Sequence, residues 1–194
     1  MNTLISLMTL SLFMFLSGCG VQSIPTQSNE VEAAWSEVLN QYQRRADLVP
    51  NLVNLVKGYA KHEKETLESV ISARAKATQT VIDAKDLNEQ NFQKLLGAQN
   101  TLSASLSRLM VVAEQYPDLK ANQNFRDLQV QLEGTENRTT IARQRYIEEV
   151  KKFNNLITVF PTSITNSILF HHSKKPQWGV GQDEKLEKAP EVQF

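Results

Sequence analysis

The sequence predicts an all-α protein: an elongated antiparallel up-and-down bundle of three long helices with a short fourth element. Three observations predict it. From about residue 29 onward, apolar residues recur every three or four positions, the period of one helix face. Glycine and proline number only 7 and 6 in 194 residues, and both are costly inside helices but abundant in turn-rich β folds. Finally, only short connections interrupt the stripes, and long amphipathic helices joined by short turns pack antiparallel.

The first stripe runs Val31, Trp35, Val38, Tyr42, Val49, Val53, Val56, Ala60, Leu67, Val70, Ala77 and Val81, with Arg74 as a polar exception and Arg45 and Glu63 near the same face. Ser28 or Asn29 is the expected N-cap, with Glu30 and Glu32 suited to the positive helix end. The stripe keeps phase through Pro50. That favours a kink; the rival is a break in which Asp47 caps a new helix and Pro50 lies in its first turn. Asp83 to Asn88 forms the first turn. The second stripe, Phe92, Leu95, Gln99, Leu102, Leu106, Leu109, Ala113 and Tyr116, alternates three and four as a heptad seam does, and Pro117 ends it. After a short connection, Asn122 or Asn124 caps a third helix along Phe125, Leu128, Leu132, Thr135, Thr139, Ala142, Tyr146, Val150, Phe153, Ile157 and Phe160, which Pro161 ends. Residues 162–170 suit a short helix. Trp35, Tyr42, Leu95, Leu102, Leu109, Leu132, Phe153 and Phe160 are the expected core residues.

The N-terminus reads as an address. Leu4 to Leu16 is apolar, about the length of a signal-peptide core and short of the ~20 residues that span a bilayer. Leu16-Ser17-Gly18-Cys19 then resembles the bacterial lipobox, in which the cysteine is lipidated and becomes the new N-terminus. The alternative is an uncleaved signal anchor over residues 4–21, since Met1-Asn2-Thr3 carries no Lys or Arg. Either way the remainder is exported. The expected organisation is a signal peptide over 1–18, a lipidated tether over 19–28, the bundle over 29–170 and a tail over 171–194. The place is the cell membrane or the outer membrane, with the bundle on the extracytoplasmic face.

Composition excludes several functions. Lys+Arg and Asp+Glu balance at 21 each, so the basic footprint of a nucleic-acid binder is absent. Cys19 is the only cysteine, which removes intrachain disulfides and cysteine-rich metal sites. His62-Glu63-Lys64-Glu65-Thr66 starts like a zinc-protease helix, but Thr66 stands where the second histidine ligand is needed. His171 and His172 are adjacent, so on a helix they would not face one direction. Ser103, Ser105 and Ser107 lie in no nucleophile elbow. No catalytic residue, metal site or cofactor is expected. The remaining polar residues on or beside the stripes, Arg45, Glu63, Arg74, Arg108, Glu136, Arg138 and Arg143, form a candidate structural network together with Gln99, because charges on a core face must pair. Antiparallel helices that turn near residues 85–86 would place Glu63 opposite Arg108, with Arg138 as the reserve partner. A ligand pocket in the bundle is the functional alternative to a network that sets register.

Several segments together carry a resemblance. Gln43-Arg44-Arg45-Ala46-Asp47-Leu48-Val49-Pro50-Asn51-Leu52-Val53, Lys57-Gly58-Tyr59-Ala60-Lys61-His62-Glu63, Tyr116-Pro117-Asp118-Leu119-Lys120-Ala121-Asn122, Leu132-Glu133-Gly134-Thr135-Glu136-Asn137-Arg138, Phe160-Pro161 and the closing Lys188-Ala189-Pro190-Glu191-Val192-Gln193-Phe194 resemble the LemA family in the family's order. Two departures stand out: the lipobox, where many members carry a longer uncleaved membrane helix, and Ile147, where asparagine is common. The resemblance implies a membrane-anchored four-helix bundle with no established catalytic residues. Its fourth helix would be the segment before Pro50 or the piece after Pro161. One member is a magnetosome membrane protein, which implies a role in organising membranes. The expected function is therefore a non-enzymatic scaffold of the bacterial envelope that binds membrane and envelope proteins. The alternatives are an enzyme with a site assembled from His62, Glu63 and Glu136, or a solute or lipid carrier.

Overall fold

The computed structural model describes residues 20–178. The signal segment, Cys19 and the closing residues 188–194 lie outside the described residues.

Helix α1 (Ser23–Tyr59) begins at Ser23, ahead of the expected cap at Ser28 or Asn29. Pro25 sits in its first turn, where a missing N–H removes no helical bond, and Ile24 is fully buried. The expected tether is therefore mostly helix. α1 also continues through Pro50. A mid-helix proline costs about 3 kcal/mol, and Val49, Leu52 and Val53, buried on either side of it, hold the helix together. The chain instead breaks at residues 60–63, and α2 (Lys64–Gln79) runs back along α1. The Trp35 indole N–H donates to the Ile82 carbonyl at 2.8 Å, and Arg74 Nε donates to the Ala46 carbonyl at 2.8 Å. Both contacts fix the antiparallel pairing. This corrects the expectation of one long first helix kinked or broken near Pro50: the described residues form four long helices. A four-residue connection is about one helical turn, so the apolar stripe resumes in phase although the direction has reversed.

The turn expected over residues 83–88 is present, and Asn88 caps α3 (Glu89–Ala113) by accepting from the Asn91 N–H at 2.9 Å. A short helix α4 (Pro117–Ala121) follows, with proline at its start. Asn122 then caps α5 (Gln123–Thr158). The chain closes with the expected short element: one turn, α6 (Thr162–Thr165), then a π-turn over Asn166–Phe170 that ends at His171 in the left-handed conformation. Helices α1, α2, α3 and α5 make the up-down-up-down bundle implied by the LemA resemblance. Its fourth helix is α2, not the segment before Pro50 or the piece after Pro161.

Six of the eight expected core residues are buried: Trp35, Tyr42, Leu95, Leu102, Leu109 and Phe153. Leu132 is only half-buried. Phe160 is 68% exposed, because α5 ends at Thr158 and the helical stripe no longer aims its side chain at α1. Residues 171–178, expected as tail, instead climb back along the bundle. The Tyr146 hydroxyl donates to the Pro176 carbonyl at 2.8 Å, and the Trp178 ring packs against Phe92, Tyr146 and Trp35. His171 is exposed, while the His172 ring stacks on Phe170 and meets Phe153 edge-on.

Gln27 and Lys152 both bind Glu149 near the Gly20 end of the bundle, at 2.6 and 2.8 Å. Chiefly through the Lys152 ammonium, they hold the Glu149 carboxyl below its ordinary value of 4.5. The native chain therefore keeps Glu149 ionised at a pH where the unfolded chain binds a proton. Its contribution to stability is present in full above pH 4.5 and is lost as the pH falls through the lower native value. Urea unfolding as a function of pH should show Glu149→Gln losing stability relative to wild type at pH 6, with the difference shrinking as the pH is lowered below 4.5. Parallel curves would mean that the Lys152 pair is inert.

Candidate functional site: a buried arginine centre

The core consists of two apolar halves. One, around Trp35, Phe92, Tyr146 and Phe153, is aromatic. The other, around Val49, Leu52, Leu102 and Leu109, is mostly aliphatic. Between them lies a polar layer built on Arg45, whose side chain is 2% exposed.

Arg45 reaches inward because it occupies the buried face of α1 four residues before Val49. Its guanidinium donates to Ser103 Oγ at 2.8 Å, to Gln99 Oε1, and to Glu136 Oε2 at 3.0 Å. The three partners sit at one level on α3 and α5. The Glu136 side chain is half exposed, so one end of this ion pair meets water. The Arg45 Nε–H is buried and has no acceptor among the described residues. The Tyr42 ring lies 5.5 Å from the Arg45 guanidinium and 5.5 Å from that of Arg143, which also lies 5.5 Å from the Trp178 ring. Arg143 Nε donates to the Tyr42 hydroxyl at 3.1 Å. Burial raises the Tyr42 phenol above its ordinary value, against the opposing pull of the Arg143 and Arg45 cations.

The expected network is thus assembled in part. Gln99 and Glu136 bind Arg45 directly, Arg143 is linked to Arg45 through Tyr42, and Arg74 binds one residue away at Ala46. Glu63 does not pair with Arg108. It sits in the turn after α1 and accepts from the Tyr116 hydroxyl at 3.1 Å, while Arg108 is exposed. The expected register assumed a single helix up to residue 81, and the reversal at residues 60–63 moves Glu63 to the end of the bundle. Arg138, the reserve partner, donates instead to Thr135 Oγ1 at 3.0 Å. The roles of Tyr42 and Trp178 were missed. Tyr42 was legible only as a core position, and Trp178 lay in a segment without periodicity.

A groove of about 430 Å³ opens between α3 and α5 over this layer, with Arg45 and Glu136 at its inner edge and Leu106, Met110 and Leu132 on its walls. A site assembled from His62, Glu63 and Glu136 does not form. Glu136 lies level with Arg45, whereas Glu63 lies past the end of α1, about 20 Å further along the axis. Among the described residues, no group of three His, Cys, Asp or Glu side chains could hold a metal ion.

The fold and this layer define a class: a four-helix up-and-down bundle with a polar layer across its core, centred on the buried Arg45. The chain belongs to the LemA family, whose pattern matches residues 34–194. It is similar to Protein LemA of Metamycoplasma hominis, 23% identical over 157 residues, covering 81% of this chain and 68% of that protein. It is also similar to Magnetosome proteins MamQ 2 and MamQ 1 of Paramagnetospirillum magneticum, each 26% identical over 153 residues, 70% of this chain and 56% of theirs. The chain thus spans little more than half the length of the two magnetosome proteins.

Proposed function

We propose that this protein is a non-enzymatic scaffold of the bacterial envelope, held to the membrane through a lipid on Cys19 and docking other envelope proteins along its bundle. One observation carries the reading. The chain enters the bundle at Gly20, one residue past Cys19, at one end of the long axis, so an anchor at Cys19 holds the rod by that end. α1, at 37 residues, extends about 55 Å, so the opposite tip stands well away from the surface. Two segments of the family resemblance meet at that tip. Asn122 donates to the Tyr59 hydroxyl at 2.8 Å, and Tyr116 to Glu63. Tyr59 is 41% exposed. An aromatic, hydrogen-bonding tip suits protein recognition. Family membership and the magnetosome names of two relatives agree with a part in membrane organisation.

Two measurements test this. Intact mass of the protein extracted from membranes should show acyl additions on a chain beginning at Cys19, and a membrane-bound chain that retains Met1 would overturn the lipid anchor. A photocrosslinker at Tyr59 in cells should trap one discrete, stoichiometric envelope protein. A reproducible bound metabolite or lipid in the purified protein, with no such adduct, would replace the scaffold with a carrier.

A further inference from the structure

The Gly20 end of the bundle carries an unusual surface. Val159, Phe160, Ile164, Ile168 and Leu169 are 57, 68, 51, 66 and 57% exposed, and all belong to the short segment that closes the bundle below α5. Val21, 47% exposed, is the second described residue. Gly20 fits against this segment so closely that a Cβ there would come within 2.9 Å of the Thr165 side chain. The apolar cluster and the point where residues 1–19 join the bundle are therefore one place. Scattered exposed apolar residues are ordinary on a folded surface, but five gathered within one short segment at one end of the bundle point to an apolar partner.

The charge around the cluster identifies the partner. From residue 150 to 178 there is no Asp or Glu, and Lys151, Lys152, Lys174 and Lys175 are all present. From 20 to 29 there is no acid either. Lys152 is engaged by Glu149, and Lys175 Nζ donates to the Ala84 carbonyl. Lys151 and Lys174 remain exposed and line one polar recess of about 220 Å³ with Asn154, Asn155 and Thr158. The recess lies along the last two turns of α5, just above the apolar cluster. An apolar end with cations one to two helical turns behind it matches the cross-section of a membrane interface, with hydrocarbon below and anionic headgroups above. No helix among the described residues is long and apolar enough to cross a membrane, so the contact is with the surface layer.

We propose that the Val159–Leu169 end is a membrane foot. Its apolar side chains enter the acyl-chain boundary of the leaflet that holds the anchor, and Lys151 and Lys174 receive anionic headgroups. The bundle then stands upright instead of swinging about its tether. This rests on the membrane anchoring proposed above and adds a second, non-covalent attachment. A foot-to-foot contact with a second copy, or cover by residues 4–16 of the same chain, would fill the same surface without lipid.

Depth-dependent fluorescence decides among these. The full chain, extracted from membranes, is reconstituted into phosphatidylcholine vesicles with or without phosphatidylglycerol, and an environment-sensitive dye is attached at Ile168→Cys. Val130→Cys, an exposed position (66%) toward the opposite end of α5, serves as the control site, and the parent chain reports any labelling at Cys19. The expected result is a blue-shifted dye at residue 168 that is quenched by acyl-chain-brominated lipid, with quenching at least twofold above that at residue 130. Quenching should increase with phosphatidylglycerol and fall in Lys151→Glu/Lys174→Glu. A protein that floats with the vesicles while the dye at 168 stays as water-exposed as at 130 overturns the foot and leaves the anchor standing. A blue-shifted dye that brominated lipid does not quench means that protein covers the surface, and overturns it too. Failure to float defeats the anchor and the foot together.

Discussion

Replacing Trp35 with alanine should lower the free energy of unfolding by about 3–5 kcal/mol, as for large aromatic truncations in a core. Trp35 is fully buried. Its ring lies 5.1 Å from Tyr146, 6.0 Å from Phe92 and 6.3 Å from Trp178, so four elements meet on it: α1, α3, α5 and the returning C-terminal segment. Its indole N–H also secures the α2–α3 connection at Ile82. Alanine leaves a cavity whose walls belong to separate helices and can close only in part, and it strands the Ile82 carbonyl. Trp35→Phe separates the two effects. It keeps most of the ring volume and loses the hydrogen bond, at about 1–2 kcal/mol for a carbonyl that water can partly reach. Urea unfolding followed by far-ultraviolet circular dichroism is the measurement, since replacing one of the two tryptophans also changes the fluorescence signal. A loss below about 0.5 kcal/mol for Trp35→Ala, the range of surface substitutions, would mean that the C-terminal segment does not pack on this cluster.

The second large effect falls on the polar layer. Arg45→Ala should cost about 2–5 kcal/mol, as for truncating a long side chain in a core. The loss includes the packed stem of Arg45, the orphaned Gln99 carbonyl oxygen and the unpaired Glu136, whose half-exposed carboxylate rehydrates and limits the penalty. The layer as a whole contributes little net stability, because the guanidinium had to leave water to form it. Arg45→Met combined with Gln99→Leu and Glu136→Leu should therefore recover most of the loss, because apolar replacement of buried charged groups is often neutral or stabilising. If the layer sets register, the triple variant should be stable yet less uniquely packed, with broadened amide spectra relative to wild type. If the triple variant is as destabilised as Arg45→Ala, the layer contributes stability beyond what apolar packing can replace.

These two sites differ in how far the sequence revealed them. Trp35 was legible as a core residue because it stands in phase with Val31, Val38 and Tyr42, and helical period alone assigns such positions. Arg45 was legible as a charge on an apolar face, which demands a partner, but its partners were not legible. Which carboxylate or amide meets it depends on helix register, and register depends on where the chain turns. Placing the first reversal near residues 85–86 put Glu63 against Arg108. The reversal at residues 60–63 gave Glu63 to Tyr116 and brought Gln99, Ser103 and Glu136 to Arg45. The only local signal for that turn was polar Lys61-His62-Glu63 just after Gly58, and the continuing stripe masked it.

By itself, the sequence determined the helical class, the turn over residues 83–88, a cap at Asn122 or Asn124, the ends at Pro117 and Pro161, most of the buried face and the family, because each depends on neighbours a few residues apart. Tertiary structure decided the rest: that Pro50 stays inside a helix, that α2 is the fourth helix, that Phe160 faces out, and that residues 171–178 fold back to lay Trp178 on Trp35. The physical reason is shared. Local periodicity and capping report which side of a segment prefers burial, but the free energy that overrides a proline, reverses a chain in phase or docks an aperiodic tail comes from contacts between residues far apart in sequence. Those contacts exist only once the helices have met.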